Sequence, residues 1–226
     1  VDDDAIDAAV EAIADADADR LVLVHGGGSF GHHQADRHGV SLSDGTHDAA
    51  GVWAIHDAMR RLNDVIVGRL QDAGVPALPV HPLSTAARDA AADLTLPLGS
   101  TRTMLAEGFV PVLHGDVVAQ TEAGATILSG DELVTRLAGG LDADRVGLCS
   151  TVPGVYDDDG RVIPRISAFD QVEDALGGSE ATDVTGGMAA KVRALLELDA
   201  PASVFGPEAL SAFLAGRQVG TVVRGR

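Results

Sequence analysis

Short, nearly all-apolar runs alternate along this chain with longer segments whose apolar residues recur every three or four positions, and this alternation restricts the fold more than any other feature. Residues 3–17 place Ile6, Val10 and Ile13 on one helical face, and the run Leu21–Val24 that follows reads as a buried strand. A helix over 51–72, with Val52, Ile55, Met59, Leu62, Ile66 and Leu70 inward, is broken by Gly74 before the strand Val75–Val80. Helix 101–107 leads into strand Phe109–Leu113, and helix Asp131–Leu141 into strand Arg145–Cys149. A helix opened by Thr185-Gly186-Gly187 and running to Leu198 leads into strand Ala202–Phe205. A short helix near Pro207–Ala215 and the strand Val219–Val223 close the pattern, while 34–48 and 117–126 read as a loop and a hairpin. Helices between strands predict an α/β fold with a parallel or mostly parallel sheet covered on both faces. With no repeat and no low-complexity linker, one domain over 1–226 is the simplest organisation.

Composition narrows the partners. The formal net charge is −18, and acids outnumber bases as 26 Asp and 8 Glu against 15 Arg and one lysine, Lys191. Such a surface repels nucleic acid and anionic lipid, so neither is an expected partner; it reads as a general solubility adaptation of the kind salt-loving organisms carry. No apolar run approaches the ~18–20 residues of a membrane span, and no signal peptide is expected. The lone Cys149 excludes an internal disulfide and fits a reducing, cytoplasmic compartment. A composition that almost abolishes lysine has kept one, and its position calls for a reason.

The first strand ends in His25-Gly26-Gly27-Gly28-Ser29-Phe30-Gly31-His32, which satisfies three patterns. Gly26, Gly28 and Gly31 match G-x-G-x-x-G, but the dinucleotide fold needs a second strand ending in an acid about 20 residues on. Asp44 and Asp48 lie in polar sequence with no apolar strand leading to them. Gly27, Ser29 and Gly31 match the esterase G-x-S-x-G, but there the oxyanion loop lies well upstream of the nucleophile, and here the two overlap. The third pattern is phosphate binding: glycines let backbone N–H groups approach an anion, a helix N-terminus adds partial positive charge, and His32 can donate a hydrogen bond. On the loop alone, a phosphate site and a tight turn with a solvent-facing histidine both remain open. His56, at helical spacing on an apolar face, reads as a packed residue, Asp116 as a turn residue, and Asp131 as a helix N-cap after Ser129-Gly130.

The ordered set His25-Gly-Gly-Gly-Ser-Phe-Gly-His32, His114-Gly-Asp116, Ser129-Gly-Asp131, Gly154-Val-Tyr156 and Asp183-Val-Thr-Gly-Gly187 with Lys191 resembles the isopentenyl phosphate kinases of the amino-acid-kinase superfamily over nearly all 226 residues. The resemblance implies a three-layer αβα sandwich with a central, mostly parallel sheet, a homodimer, and ATP- and Mg2+-dependent phosphorylation of isopentenyl phosphate, a prenyl monophosphate, to the diphosphate used in isoprenoid biosynthesis. By the same resemblance, Gly27 and His32 hold the acceptor phosphate and Gly130 lines its site. Gly28 faces the ATP phosphates, and Gly187 and Lys191 contact ATP, with His32 and Lys191 the catalytic pair. Asp183 is either a turn residue or a nucleotide or metal contact. No protein metal ligand set is expected. Val52, Ile55, Val118 and Ile127, from helix 51–66 and the hairpin, are the candidates for walls around the five-carbon tail.

Two departures from the family accompany this. Its members open with a strand ending in K-x-G-G-S and a further lysine, whereas this chain opens at Val1-Asp-Asp-Asp, in what would be the next helix. The expectation is a single amino-acid-kinase domain lacking its N-terminal strand and glycine-rich loop, and hence a poor catalyst at this length. Thr151 and Pro153 stand where the family carries acids near the nucleotide. Alternatives are a kinase of another small phosphate or phosphonate such as fosfomycin, and a non-catalytic nucleotide-binding regulatory module.

Overall fold

The computed structural model describes residues 2–16, 18–177 and 187–225, the side chains of Ser29, Phe30 and His32 excepted. In chain order the elements are α1 (Asp3–Ala14), β1 (Leu23–His25), α2 (Gly28–His38), α3 (Ala49–Asp72), β2 (Ala77–Pro79), β3 (Ala87–Arg88), β4 (Leu94–Thr95), α4 (Gly99–Ala106), β5 (Val110–His114), β6 (Asp116–Gln120), β7 (Gly124–Leu128) and α5 (Gly130–Gly140). They continue as β8 (Val146–Cys149), β9 (Arg165–Ile166), α6 (Glu173–Gly177), α7 (Gly187–Leu196), β10 (Ala202–Phe205), α8 (Leu210–Leu214) and β11 (Thr221–Val223). Five of the eight strand pairings among the described residues are parallel, which agrees with the mostly parallel sheet expected from the alternation. The chain forms two compact units, residues 19–133 and residues 1–18 with 134–226.

In unit 19–133, β5 is the middle of a parallel sheet ordered β1-β5-β2, with His25 opposite His114 in register. A second sheet, β4-β3-β6-β7, carries the β6–β7 hairpin. Helix α3 starts where the Asp48 carboxylate accepts from the amides of Ala50 and Gly51, and buries Ile55, Met59, Leu62 and Leu70 on one face. Helix α2 corrects the loop expected over 34–48: residues 28–38 are helical, and only 39–48 connect. Its sequence is polar, with no apolar stripe to betray it, and it stands because small residues let it lie close against α3. A Cβ at Gly27 or Gly31 would come within 2.9 or 2.8 Å of Met59 Sδ. Gly39, left-handed at φ 64°, ends it. The connecting segment is pinned to the β7 edge by the paired amides and carbonyls of Thr46 and Ala125.

The first turn of α5 is tied to β3. Arg88, almost fully buried, places its guanidinium on the Glu132 carboxylate through two contacts of 2.7 and 2.6 Å, and donates to the carbonyls of Ala92 and Ile127. The helix N-cap is Ser129, whose Oγ accepts from the Glu132 amide at 3.1 Å; Asp131 lies one residue inside the helix and is not the cap.

The other unit is built on the sheet β8-β10-β11-β9, parallel at β8–β10 and β11–β9 and antiparallel at β10–β11. Its core gathers Val146, Ile166, Val192, Leu195, Val204 and Val223. The short strands β3, β4 and β9, two residues each, carry too little sequence to show a period.

Glu132→Ala leaves a buried guanidinium with only carbonyl partners. The expected loss is about 2–4 kcal/mol of unfolding free energy, read by urea denaturation; a loss below about 0.5 kcal/mol would show that the pair is merely a surface contact.

Candidate functional site

Residues from separate stretches of unit 19–133 converge at the carboxyl edge of β1 and β5, the edge at which open α/β sheets bind ligands. The Gly115 amide donates to the His25 carbonyl at 3.0 Å, bringing the two strand ends together. A Cβ on Gly130 would lie 3.8 Å from that same carbonyl and 4.0 Å from Gly26 Cα, and one on Gly115 would lie 3.4 Å from the Gly130 amide nitrogen. Gly26, Gly115 and Gly130 thus meet backbone to backbone. Gly28 adopts φ 46°, a left-handed conformation that favours glycine, as the first residue of α2. Among the described residues, chain neighbours aside, no atom stands within 4 Å of where a Cβ would be on Gly26 or Gly28, so they leave that side of the turn open.

Beneath the turn, four of the eight histidines form one cluster, with ring centroids 5.3–6.3 Å apart. His25 ends β1, His56 lies on α3, His81 follows β2 and His114 ends β5. Hydrogen bonds fix their proton positions. His114 Nδ1 is 2.9 Å from the Gly115 carbonyl, which can only accept, so Nδ1 carries the proton and Nε2 accepts from His81 Nδ1–H at 3.0 Å. His25 Nδ1–H donates to the Gly26 carbonyl at 3.1 Å, leaving Nε2 as an acceptor. Nε2 lies 3.0 Å from Asn63 Oδ1, while Asn63 Nδ2 is buried with no hydrogen-bond partner among the described residues. The amide turned end for end gives Nε2 its donor and Nδ2 its partner, and is the sense a neutral His25 selects.

The charge of the cluster sits in one place. His56 Nδ1–H donates to the buried Asp116 carboxylate at 3.0 Å to either oxygen, and that bond raises the His56 pKa above its usual value. The amides of Val117 and Leu83 supply further donors to Asp116. Burial lowers the pKa values of His25 and His81, the latter helped by repulsion from His56. Burial brings His114 down to about 4. Three imidazoles are therefore neutral at pH 7 and act as directional hydrogen-bonding groups.

The structure brings Gly27, Gly28 and Gly130 to one edge. Val52, Ile55 and Ile127 pack together with Ala35, Val40 and Val117 in one apolar cluster. Val118 is buried but sits opposite Thr126 in the β6–β7 ladder, on the other face of the hairpin from the Val117–Ile127 pair. Gly187 (φ 66°) opens α7 in the other unit, and Lys191 lies four residues on, along the same helix face. Asp183 and the His32 side chain lie outside the described residues. Sequence reasoning missed the roles of His25, Asn63, His81 and His114. The one available signal was the repeated His-Gly pair, His25-Gly26 and His114-Gly115, each closing an apolar run.

Comparison with known proteins places these features in a family. The profile of the amino acid kinase family matches residues 1–198. The chain is 66% identical over 226 residues to the isopentenyl phosphate kinase of Haloferax volcanii, covering all of this chain and 91% of that one. It is 37% identical over 179 residues to the isopentenyl phosphate kinase of Methanocaldococcus jannaschii, covering 76% of this chain and 67% of that one. Among solved structures, one described as X-ray structures of isopentenyl phosphate kinase superposes with a TM-score of 0.83 at 25% identity, covering 97% of this chain and 90% of that one. The fold is accordingly the amino-acid-kinase fold.

The lowered pKa of His114 has a signed consequence. The unfolded chain takes up this proton near pH 6.5 and the folded chain only near 4, so stability falls as pH drops through that window, by about 3 kcal/mol from His114 alone. His56, shifted upward, acts oppositely: its contribution is present below about pH 6.5 and is lost as pH rises through its folded value. In His114→Asn, which keeps a donor for the Gly115 carbonyl, the fall in urea stability between pH 6.5 and 5 should be shallower than in the wild type. Equal slopes would remove His114 as its source.

Proposed function

Because the chain belongs to the isopentenyl phosphate kinases of the amino acid kinase family, we propose that it transfers the γ-phosphoryl group of ATP to isopentenyl phosphate, forming isopentenyl diphosphate and ADP. The full-length similarity to the Haloferax volcanii enzyme carries this proposal, and the open glycine turn supports it. Phosphoryl transfer asks the protein mainly to align two phosphates and to match the charge on the moving group. Backbone amides at Gly27 and the His32 side chain hold the acceptor phosphate, with Gly130 beside them. Gly28 faces the ATP phosphates, and Gly187 and Lys191, with Asp183, serve ATP.

Val52, Ile55 and Ile127 form the proposed wall for the five-carbon tail, each buried methylene being worth about 0.8 kcal/mol. Val118, on the opposite face, is left out of that wall. Mg2+ is expected to arrive on the ATP phosphates, since it keeps its waters and uses substrate oxygens readily; no group of three or more His, Cys, Asp or Glu side chains among the described residues could hold a metal. No helix among the described residues is long and apolar enough to cross a membrane. A cytoplasmic homodimer with a salt-adapted acidic surface, organised as one kinase domain, completes the proposal.

The test is an ATP-coupled assay of the natural full-length protein with isopentenyl phosphate, dimethylallyl phosphate and fosfomycin. Turnover of isopentenyl phosphate at the highest kcat/KM is expected; ATP binding without turnover of any of the three would instead indicate a regulatory module. His32→Ala should lower kcat/KM for the acceptor by about 10²-fold and leave ATP affinity within about twofold. Lys191→Ala should weaken ATP use by a similar factor, and an unchanged KM for ATP together with an unchanged kcat would remove Lys191 from the site.

A further inference from the structure

Strands β1 and β5 run side by side, His25 and His114 stand opposite one another in register, and each is followed by glycine. Both rings fold back along their own backbone and use the same atom for the same purpose: Nδ1–H donates to the carbonyl of the following glycine, at 3.1 Å for Gly26 and 2.9 Å for Gly115. The far nitrogen of each ring is held from another element, by Asn63 of α3 for His25 and by His81 for His114. Asn63 is fully buried, so its side chain has little freedom to move, and an imidazole gripped at both nitrogens cannot rotate without breaking a bond.

The consequence falls on the peptide between Gly26 and Gly27. The chain has no cis peptide among the described residues, and in a trans peptide the C=O and N–H point in opposite directions. A Gly26 carbonyl held against the His25 ring therefore sends the Gly27 N–H away from the ring. Side-chain packing among the described residues does not impose this orientation at Gly26, which has none of them, chain neighbours aside, within 4 Å of its Cβ position and, as glycine, wide backbone freedom. The imidazole adds a direct hold on this peptide plane to the backbone contacts of the turn.

We propose that His25, locked by Asn63, is a positioning residue that presets the Gly27 amide for the acceptor phosphate. The proposal rests on the reading that this phosphate binds at the glycine turn. His25 touches no substrate; it acts through the peptide plane it holds. An amide aimed before the ligand arrives costs nothing to reorganise on binding, whereas a free glycine peptide must be ordered each time.

The test uses His25→Ala, His25→Gln and His25→Asn in the full-length enzyme with ATP and isopentenyl phosphate. Asn places a donor where Nδ1 stood, and Gln places its nitrogen nearer Nε2. The Ala and Gln variants should raise the KM for isopentenyl phosphate about tenfold, the scale of one hydrogen bond, with the KM for ATP unchanged. The Asn variant should return to within about threefold of wild type. In ligand-free protein, the Gly27 amide resonance should move in the Ala and Gln variants and stay near its wild-type position in Asn. Asn63→Ala, which leaves His25 in place but frees its ring, should raise the acceptor KM in the same direction by a smaller factor, again without touching ATP. Equal behaviour of Asn and Gln, an unchanged acceptor KM, or parallel rises for ATP and acceptor would overturn the positioning role. In the unsubstituted enzyme, isopentenyl phosphate should shift the Gly27 amide. If it is turned over without doing so, the reading of the turn as the phosphate site fails and the proposal with it; if it shifts Gly27 while the variants do not follow, only the role of His25 fails.

Discussion

The Asp116 carboxylate is an anion with no exposed side-chain surface, and it persists because donors from three directions meet it. The Val117 amide binds one oxygen, the Leu83 amide the other, and His56 Nδ1–H reaches both. A buried charge without such partners would neutralise itself by taking up a proton or would destabilise the fold by several kcal/mol. Its position makes it a junction. One residue on the start of β6 fixes α3 through His56 and the turn after β2 through Leu83, and the other histidines of the cluster meet one another and His56 in tilted and edge-on ring contacts. Removing the carboxylate would take away the polar link between α3 and the hairpin and leave the apolar packing of Ile55 and Val52 with Val117 and Ile127.

Much of this architecture was legible because burial leaves a periodic trace. The strand Ala202–Phe205 is observed with the bounds its apolar run dictates, since all four residues are buried. Helix α3 was readable for the complementary reason, an apolar stripe sustained over 24 residues. Helix α2 was not, because its packing against α3 depends on what Gly27 and Gly31 lack, and absent side chains leave no hydropathic period. The cap of α5 shows the same limit at finer grain: Ser129 and Asp131 are both good capping residues, and only the Ser129 Oγ contact with the Glu132 amide tells them apart. Of the four residues expected around the tail, Val118 lies off the face that carries Val52, Ile55 and Ile127, because neighbouring positions of a strand face opposite ways and register decides which face each takes.

The histidine cluster was hidden for a different reason. His25, His56, His81 and His114 are spread over 90 positions of sequence, and each alone has an ordinary reading as a packed or exposed residue. Only the parallel register of β1 and β5 turns two separate His-Gly pairs into a matched pair of devices. The glycine motif announced the possibility of an anion site; the chain's topology is what gathers the neutral imidazoles beneath it.

That neutrality bears on how a chain of net charge −18 can accommodate anionic phosphates at all. Lysine is nearly absent, and His56, the imidazole of the cluster whose pKa is raised, is paired with its own buried carboxylate partner, Asp116. His25, His81 and His114 contribute no net charge at neutral pH, because burial favours their neutral forms. On the proposed reading, the turn above them attracts an anion through oriented dipoles, the backbone amides of Gly27 and its neighbours and the partial positive end of α2, together with His32. Dipoles are worth most when they are already aimed, since a dipole free to rotate loses its attraction to thermal averaging while a point charge does not. A site that relies on them needs its peptides fixed before the ligand arrives. Imidazoles fixed at both nitrogens, supported by a buried asparagine and a matched buried anion, meet that need without adding charge to an acidic protein.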